Sequence, residues 1–216
     1  MIGDKLIIKR EHTNAAGQIA DILLPRIKNS QKKFIISIAG ESGAGKSKIA
    51  YSLYKNLENT GFKSVILQQD DYFVYPPKTN AKMRKKNINH VGTSEVHLAL
   101  IDQNLQDIVS GKKQLSKPLV IYGEDRITTE TIPLAEVSVV IADGTYTTLL
   151  NNVDCHVFIE RNYRDTRKSR KERGREQQDT YLEKILRIEH AIISKHKKKS
   201  DILVNRDYSV EVNSYK

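Results

Sequence analysis

One segment of the chain combines the residue types that bind phosphate. Residues 40–47 read Gly-Glu-Ser-Gly-Ala-Gly-Lys-Ser and fit the pattern GxxxxGK[ST] of a phosphate-binding loop. The glycines let consecutive backbone N–H groups face phosphate oxygens, Lys46 can reach the β- and γ-phosphates, and the Ser47 hydroxyl can bind Mg²⁺. The sequence therefore predicts a nucleotide site. Its predicted members are Gly40, Glu41, Ser42, Gly43, Ala44, Gly45, Lys46, Ser47 and Lys48.

Carboxylates follow two apolar runs further along the chain. Asp70 and Asp71 come after the first run, and Asp143 comes after the second. A carboxylate facing the γ-phosphate could accept the proton of an attacking hydroxyl or hold Mg²⁺ through water. The alternative is a turn with two solvated aspartates. An apolar strand ending in Asp is the Walker B arrangement, in which the carboxylate assists Mg²⁺. We predict Asp70 as the general base, and Ser47, Asp70 and Asp143 as the metal-binding residues.

Arginines are concentrated between residues 161 and 175. Arginine side chains form paired hydrogen bonds to phosphate oxygens and stabilise the charge that develops in phosphoryl transfer. A mobile basic lid would also exclude water from the site. The alternative is a solvated helix whose arginines pair with Asp165, Glu172 and Glu176. We predict an arginine-rich lid over about residues 162–178.

The segments around these residues predict the elements that position them. Residues 34–39 form an apolar run typical of a buried parallel strand, and residues 48–59 carry apolar side chains at helical steps. Strands alternate with helices along the chain, which predicts an α/β fold: a three-layer α/β/α arrangement of the P-loop NTPase type, with a mostly parallel sheet, a short hairpin and the lid. Ligands bind beyond the carboxyl ends of the strands in such sheets, where the loop, Asp70 and Asp143 all lie.

Periodicity and turn residues predict the remaining elements. Two segments should pair as a hairpin, at 119–122 and 126–132, and a polar, mobile segment is expected at 78–89. Further strands are predicted at 6–8, 64–68, 137–142, 155–159 and 201–204. Further helices are predicted at 14–29 with a kink at Pro25, at 94–110 with Ser94 as N-cap, and at 181–197.

Composition narrows the class of protein. The 216 residues include one cysteine, which agrees with a reducing compartment, and the N-terminus lacks the features of a signal peptide, so we expect a cytoplasmic protein. No apolar run approaches the length of a membrane span, and no membrane partner is expected. The net charge of +10 fits nucleic acid or polyanionic small molecules. Because the sequence lacks an RNA-binding module and an aromatic stacking platform, we favour a small-molecule partner and leave homo-oligomerisation open.

Four motifs together resemble the uridine kinase/phosphoribulokinase family of P-loop kinases. They are the loop, the Gln-Asp-Asp-Tyr-Phe run at 69–73, the strand and Asp-Gly at 137–144, and the Glu-Arg-Gly-Arg run at 172–175. The similarity covers about residues 32–206. Residues 1–31 are therefore interpreted as an N-terminal extension packed on the core, and residues 32–216 as the kinase domain. The resemblance implies phosphoryl transfer from ATP, with Mg²⁺, to a hydroxyl of a small sugar-containing acceptor.

The resemblance also implies roles for individual residues. Asp70 matches the family's catalytic aspartate, and Tyr72 and Phe73 match aromatics of the acceptor site. Arg167 and Arg170 match lid arginines that contact phosphates. Arg175, in the Glu-Arg-Gly-Arg run, is predicted to bind the nucleotide. The predicted catalytic residues are Asp70, Lys46, Arg167 and Arg170, and the predicted acceptor-binding residues are Asp71, Tyr72, Phe73, His90 and Tyr122.

Two stretches depart from the uridine kinase pattern. Asn89 stands where an Asp of the family helps to hold the ribose, and residues 122–126 lack the histidine that contacts the base. The lid is also several residues shorter. The transfer residues therefore match better than the acceptor pocket. The acceptor stays open between uridine, another nucleoside, a pentose phosphate and a pantothenate-like alcohol. The chain could also be a nucleic-acid-associated P-loop NTPase, or a regulatory protein that only binds nucleotide.

Overall fold

The computed structural model describes residues 1–3, 6–174 and 177–214. The helices are α1 (Arg10–Lys28), α2 (Lys46–Asn59), α3 (Pro77–Lys86), α4 (Leu98–Val109), α5 (Arg167–Arg173) and α6 (Thr180–Ile193). The strands are β1 (Phe34–Gly40), β2 (Ser64–Gln68), β3 (Gln114–Ile121), β4 (Arg126–Pro133), β5 (Val139–Asp143), β6 (Cys155–Ile159), β7 (Ile202–Val204) and β8 (Val210–Val212). Short 3₁₀ turns connect several of these elements.

A six-stranded sheet forms the centre of the molecule, in the order β2-β5-β1-β6-β7-β8. Neighbouring strands run parallel from β2 to β7, and β8 pairs antiparallel with β7 at the edge. Every residue of β1 is buried, because helices cover both faces of the sheet. The carboxyl ends of β1, β2 and β5 consequently lie side by side at one edge, as the sequence predicted.

Two apolar cores, one on each face of the sheet, produce the three-layer arrangement that was predicted. One core contains residues of α1 and α2, such as Ile19 and Leu53, packed against β1, β5, β6 and β7. The other core contains residues of α4 and α6, such as Leu105 and Ile193. Successive residues of β1 alternate between the cores, since Ile36 belongs to the first and Ile35 to the second.

The hairpin predicted near residues 119–132 is confirmed and is longer than expected. β3 and β4 pair antiparallel from Gln114–Pro133 to Ile121–Arg126 as a separate two-stranded sheet. Leu115 of β3 packs into the α4 and α6 core, so the hairpin is anchored beside the ends of β2 and β5.

Several predicted boundaries were wrong. The segment 78–89, expected to be polar and mobile, was not predicted to be helical, but most of it belongs to helix α3, whose first residue is Pro77. Proline is favoured at that position because its missing N–H has no helical partner to lose. Residues 6–8 form no strand. The helix expected at 94–110 begins at Leu98 with His97 as N-cap, so Ser94 lies in the preceding 3₁₀ turn.

The helix expected at 14–29 also differs from its prediction, because α1 starts at Arg10 and includes Pro25 in its last turn. Proline has no N–H and cannot bond to the carbonyl four residues earlier. Because Pro25 lies in the last turn, this loss affects only the end of the helix. The helix expected at 181–197 ends at Ile193 and continues as a 3₁₀ turn. Within the part of the chain that the structure describes, no helix is both long and apolar enough to cross a membrane.

Candidate active site

A cavity of about 300 Å³ lies at the carboxyl ends of the parallel strands. It brings together residues from several separate parts of the chain. The lining includes Ser42, Lys46 and Ser47 from the loop, Asp70 and Phe73 after β2, Asn80 and Arg84 from α3, Tyr122 from the hairpin, Asp143 from β5 and Glu189 from α6. Of the predicted site residues, Ser42, Lys46, Ser47, Asp70, Phe73, Tyr122 and Asp143 therefore share one cavity.

The phosphate loop leads directly into α2. Gly45 is the N-cap of this helix and has a left-handed backbone with φ of 104°, a conformation that glycine adopts without steric cost. The positive end of the helix dipole and the N–H groups of the loop consequently face the same space, which suits an anion. The ammonium of Lys46 donates a hydrogen bond to the Glu41 carbonyl at 3.1 Å, so it lies across the loop.

The ends of β2 and β5 touch each other through Gly144. A Cβ added at Gly144 would lie 2.2 Å from Cβ of Gln69, so only glycine permits this approach. The amide oxygen of Gln69 accepts a hydrogen bond from the Tyr146 N–H at 2.7 Å and holds the two strand ends together. Asp70 follows Gln69 and Asp143 precedes Gly144. The contact thus places two carboxylates on the same cavity, close enough for Asp70 to raise the pKa of Asp143.

Asp143 is 3 % exposed and accepts a hydrogen bond from the Ser47 side chain. Burial raises the pKa of Asp143 to about 6, although the charge of Lys46 and the Ser47 hydrogen bond oppose this rise. Its Oδ1 atom is buried and has no hydrogen-bond partner among the described residues. A hydroxyl and a buried carboxylate with an unsatisfied oxygen fit Mg²⁺, which prefers oxygen ligands.

The protein residues would supply only part of a magnesium shell. Within residues 1–3, 6–174 and 177–214, no group of three or more His, Cys, Asp or Glu side chains is placed to hold a metal ion by itself. Mg²⁺ is commonly bound through one or two protein groups together with water and substrate phosphates. Ser47 and Asp143 match that kind of partial site, beside a loop suited to phosphate.

Glu41, predicted to bind the nucleotide, connects three elements of the protein through its side chain. One carboxylate oxygen accepts the Tyr163 N–H at 2.6 Å, and the other accepts a hydrogen bond from Nδ1 of His190 at 2.6 Å. Glu41 is 4 % exposed. Glu41 therefore ties the phosphate loop to the start of the predicted lid and to α6.

Three of the five predicted acceptor residues do not line the cavity and form hydrogen bonds to other residues of the protein. Asp71 forms a buried ion pair with Lys117 at 2.9 Å and accepts the Val120 N–H at 3.0 Å, which anchors the hairpin. Tyr72 is fully buried, and its hydroxyl accepts a hydrogen bond from Asn104 of α4 at 2.8 Å. His90 bonds to Asn80 at 3.0 Å and thus acts on the cavity only through Asn80. Phe73 and Tyr122 do line the cavity.

The arginines of the predicted lid occupy different environments. Arg170 is 3 % exposed, donates to the Tyr163 carbonyl at 2.6 Å and also to the Thr166 hydroxyl. Its aliphatic stem lies against the phosphate loop, where a Cβ added at Gly43 would be 2.8 Å away. Arg167 is exposed at the start of α5. Arg175 lies outside the described residues. The contacts of Arg170 fix the first turn of the lid segment on the loop.

The sequence did not predict an ion-pair network that Arg84 forms beside the cavity with Glu95 and Glu189. Glu95, 0 % exposed, accepts hydrogen bonds from Nε and Nη2 of Arg84 and from Asn80 at 2.8 Å. Arg84 also pairs with Glu189 of α6 at 3.1 Å. The Pro-Pro pair before residues 78–89 was the available signal for a helix here. No local pattern indicated a pairing with α6.

Comparisons with known proteins add evidence that is independent of this geometry. The sequence pattern of the Phosphoribulokinase / Uridine kinase family matches residues 35–213. A bifunctional alpha-galactosidase/sucrose kinase of Mediterraneibacter gnavus is 25 % identical over 84 % of this chain and 21 % of its own length. A uridine kinase of Ureaplasma parvum serovar 3 is 31 % identical over 61 % of this chain and 64 % of its own length. This chain therefore spans about a fifth of the length of the first relative and just under two thirds of the length of the second.

Other relatives are matched over more of their length. A uridine kinase of Macrococcus caseolyticus is 28 % identical over 80 % of this chain and 88 % of its own. Among solved structures, a possible uridine kinase from Bacillus stearothermophilus has a TM-score of 0.61 at 15 % identity, over 88 % of this chain and 97 % of that one. A D-glycerate 3-kinase from Cryptococcus neoformans has a TM-score of 0.62 at 13 % identity, over 92 % and 99 %. The two structures support the fold.

Proposed function

Because the chain belongs to the phosphoribulokinase/uridine kinase family, whose members are small-molecule kinases, we propose that it transfers a phosphoryl group from ATP to a hydroxyl of a small, neutral, sugar-containing metabolite. One observation carries the proposal: the loop residues Lys46 and Ser47 share a single cavity with the carboxylates Asp70 and Asp143. A nucleotide held by the loop would therefore present its γ-phosphate to a cavity that contains a candidate base.

The chain's own residues supply distinct parts of the transfer. Lys46 and the loop N–H groups bind the β- and γ-phosphates and stabilise the charge that develops on them. Asp70 accepts the proton of the attacking hydroxyl, and the loss of this proton makes the hydroxyl oxygen a stronger nucleophile. Ser47 and Asp143 would hold Mg²⁺, which neutralises phosphate charge when bound. Arg167 and Arg170 belong to a lid that limits access of water, with Arg170 anchoring its first turn on the loop.

The charges around the acceptor half of the cavity favour a neutral acceptor. The guanidinium of Arg84 is already paired with Glu95 and Glu189, so its charge is largely balanced by two carboxylates. The carboxylates of Asp70 and Glu189 both line the cavity and would repel a second phosphate. They are well suited to accept hydrogen bonds from sugar hydroxyls.

Two kinds of neutral acceptor are supported by different observations. Relatives named uridine kinases support a nucleoside. A relative named a sucrose kinase supports a free sugar, as does the loss of the ribose-binding carboxylate, since Asn89 replaces it. Phe73 and Tyr122 offer apolar surface that either kind could cover.

An acceptor panel tests the proposal. The protein would be incubated with ATP, Mg²⁺ and uridine, glucose, fructose, sucrose or a pentose phosphate, with ADP release and product mass as readouts. We expect phosphorylation of a neutral member and none of the pentose phosphate. Loss of ADP release and product in the Asp70→Asn variant would tie the activity to this site. ATP binding with no transfer to any acceptor would contradict the kinase assignment.

A further inference from the structure

Tyr208 lies in the turn between β7 and β8 in a conformation that is unusual for its side chain. Its φ is +68°, in the left-handed region that bulky residues rarely adopt. Such a conformation costs free energy and persists only where surrounding contacts hold it in place. The ring packs edge-on against His12 with centroids 5.0 Å apart, and the Arg161 guanidinium lies over the ring at 4.7 Å. These two side chains from distant parts of the sequence therefore hold the strained tyrosine in place.

The hydroxyl of Tyr208 reaches the phosphate loop. It donates a hydrogen bond to the Ala44 carbonyl at 3.1 Å. Burial raises the pKa of Tyr208 above its usual range, so the hydroxyl keeps the proton that it donates. In a trans peptide the N–H and the carbonyl point in opposite directions, so the Gly45 N–H points away from Tyr208. We expect the nucleotide phosphates on that side of the loop.

His12 presses on the same peptide from the first turn of α1. Its Nδ1 accepts the Lys9 N–H at 2.9 Å, and the ring is 2 % exposed. A Cβ added at Gly45 would lie 3.1 Å from His12 Cδ2 and 3.1 Å from the Tyr208 hydroxyl. The two side chains thus form a wall directly behind Gly45, and the loop cannot rotate outward without displacing them.

The same wall is connected to the predicted lid segment. Arg161, which covers the Tyr208 ring, also donates to the Asp165 carbonyl at 3.2 Å. Lys9 at the N-cap of α1 pairs with Glu172 of α5 at 3.3 Å. The two residues that contact the Ala44–Gly45 peptide are therefore linked to the predicted lid segment, Tyr208 through Arg161 and His12 through the first residues of α1.

We infer that Tyr208 and His12 are positioning residues that hold the Ala44–Gly45 peptide in the orientation required to bind the nucleotide phosphates. This inference rests on the proposed function, because the loop must bind a nucleotide. It assigns a role to α1, which lies before the residues matched by the family. The N–H groups of the loop bind phosphate only when they converge, and the Tyr208 hydrogen bond selects that orientation for one of them.

The test measures nucleotide affinity and does not require the acceptor. Isothermal titration with Mg²⁺ and the non-hydrolysable ATP analogue AMP-PNP would compare the wild-type chain with Tyr208→Phe, which keeps the ring and removes the hydroxyl. We expect Kd to rise about fivefold, the scale of one lost hydrogen bond, with a thermal midpoint close to wild type. Tyr51→Phe on α2, which alters a tyrosine that is 38 % exposed, is the matched control and should bind like wild type.

A second variant covers the case in which Tyr208→Phe is poorly folded. His12→Asn keeps an acceptor for the Lys9 N–H but removes the ring from Gly45, and we expect the same loss of affinity. In ¹⁵N spectra, the shift of the Gly45 amide on nucleotide binding should shrink in both variants, which a purely structural role would not cause. Unchanged affinity and an unchanged Gly45 shift in folded variants would overturn the inference. Failure of the wild-type chain to bind AMP-PNP would instead overturn the proposed function.

Discussion

Nδ1 of His190 in α6 donates to the carboxylate of Glu41 in the phosphate loop at 2.6 Å. The preceding residue, Glu189, lines the other half of the cavity and pairs with Arg84. One turn of α6 therefore contacts both the loop that would hold the nucleotide and the surface that would hold the acceptor. The two neighbouring carboxylate contacts can be altered separately.

Glu41→Gln should affect the nucleotide side alone. The amide oxygen can still accept the Tyr163 N–H, but the charge beside His190 is lost, so the loop is held less firmly. We expect the KM for ATP to rise about threefold to tenfold while the acceptor KM is unchanged. Steady-state kinetics with the acceptor found in the panel would measure both constants.

Glu189→Gln should produce the opposite pattern. Removal of this charge weakens hydrogen bonds to acceptor hydroxyls and releases Arg84 from one partner. We expect a higher acceptor KM, an unchanged KM for ATP, and improved use of phosphorylated acceptors. Equal changes in both KM values would argue against a division of the cavity into two halves.

Asp70 and Asp71 should have different effects although they are adjacent. Asp70→Asn removes the base, so we expect kcat to fall about 100- to 10,000-fold with little change in ATP affinity or stability. Single-turnover transfer and AMP-PNP titration would measure these. A variant that retained wild-type turnover would show that another group accepts the proton.

Asp71→Asn should instead lower stability, because the buried Lys117 loses one of its two carboxylate partners and keeps only Glu130. Breaking a buried ion pair costs about 3 kcal/mol or more when the remaining charge is left unpaired, and because Glu130 stays paired with Lys117 we expect a smaller loss. Urea denaturation would measure the free energy of unfolding. An Asp71 variant as stable as wild type but unable to phosphorylate would support the predicted contact of Asp71 with the acceptor.

Glu95→Gln should destabilise the acceptor wall. Glu95 is fully buried and receives hydrogen bonds from Arg84 and Asn80, so removal of its charge should cost about 3 kcal/mol of unfolding free energy. Glu124→Gln is the control, because the Glu124–Arg126 pair is more than half exposed and exposed pairs contribute little. Thermal and urea melts of both variants would compare a buried pair with an exposed one.

Stability should fall on mild acidification. His196 is 5 % exposed, and burial, with a smaller effect of Lys199, lowers its pKa from 6.5 to about 4. The unfolded chain therefore takes up a proton below pH 6.5 that the folded chain resists, so the free energy of unfolding decreases between about pH 6.5 and 4. His12 has a similarly lowered pKa, caused by burial and by Lys48, and adds to the trend.

Urea melts between pH 7.5 and 4.5 would measure this dependence. The His196→Asn variant should show a shallower decrease, whatever its stability at pH 7.5. A wild-type curve that is flat over this interval would contradict the burial of both histidines as neutral rings.

The sequence by itself determined the fold class and which of the predicted transfer residues lie together. The loop pattern, the apolar runs and the aspartates at their ends are local features, and parallel strands must bring their carboxyl ends to one edge. That is why Lys46, Ser47, Asp70 and Asp143 could be placed together from the sequence, and the four residues do line one cavity. Helix α3 was missed because its polar composition outweighed the Pro-Pro start signal.

Only the tertiary structure decided which neighbouring residues face the cavity. In the 3₁₀ turn at Gln69–Tyr72, adjacent side chains diverge, so Asp70 lines the cavity while Asp71 pairs with Lys117 and Tyr72 enters the core. The contacts Arg84–Glu189 and Ala44–Tyr208 join residues 105 and 164 positions apart. Such pairings depend on how helices pack across the sheet, and no spacing along the chain encodes that geometry locally.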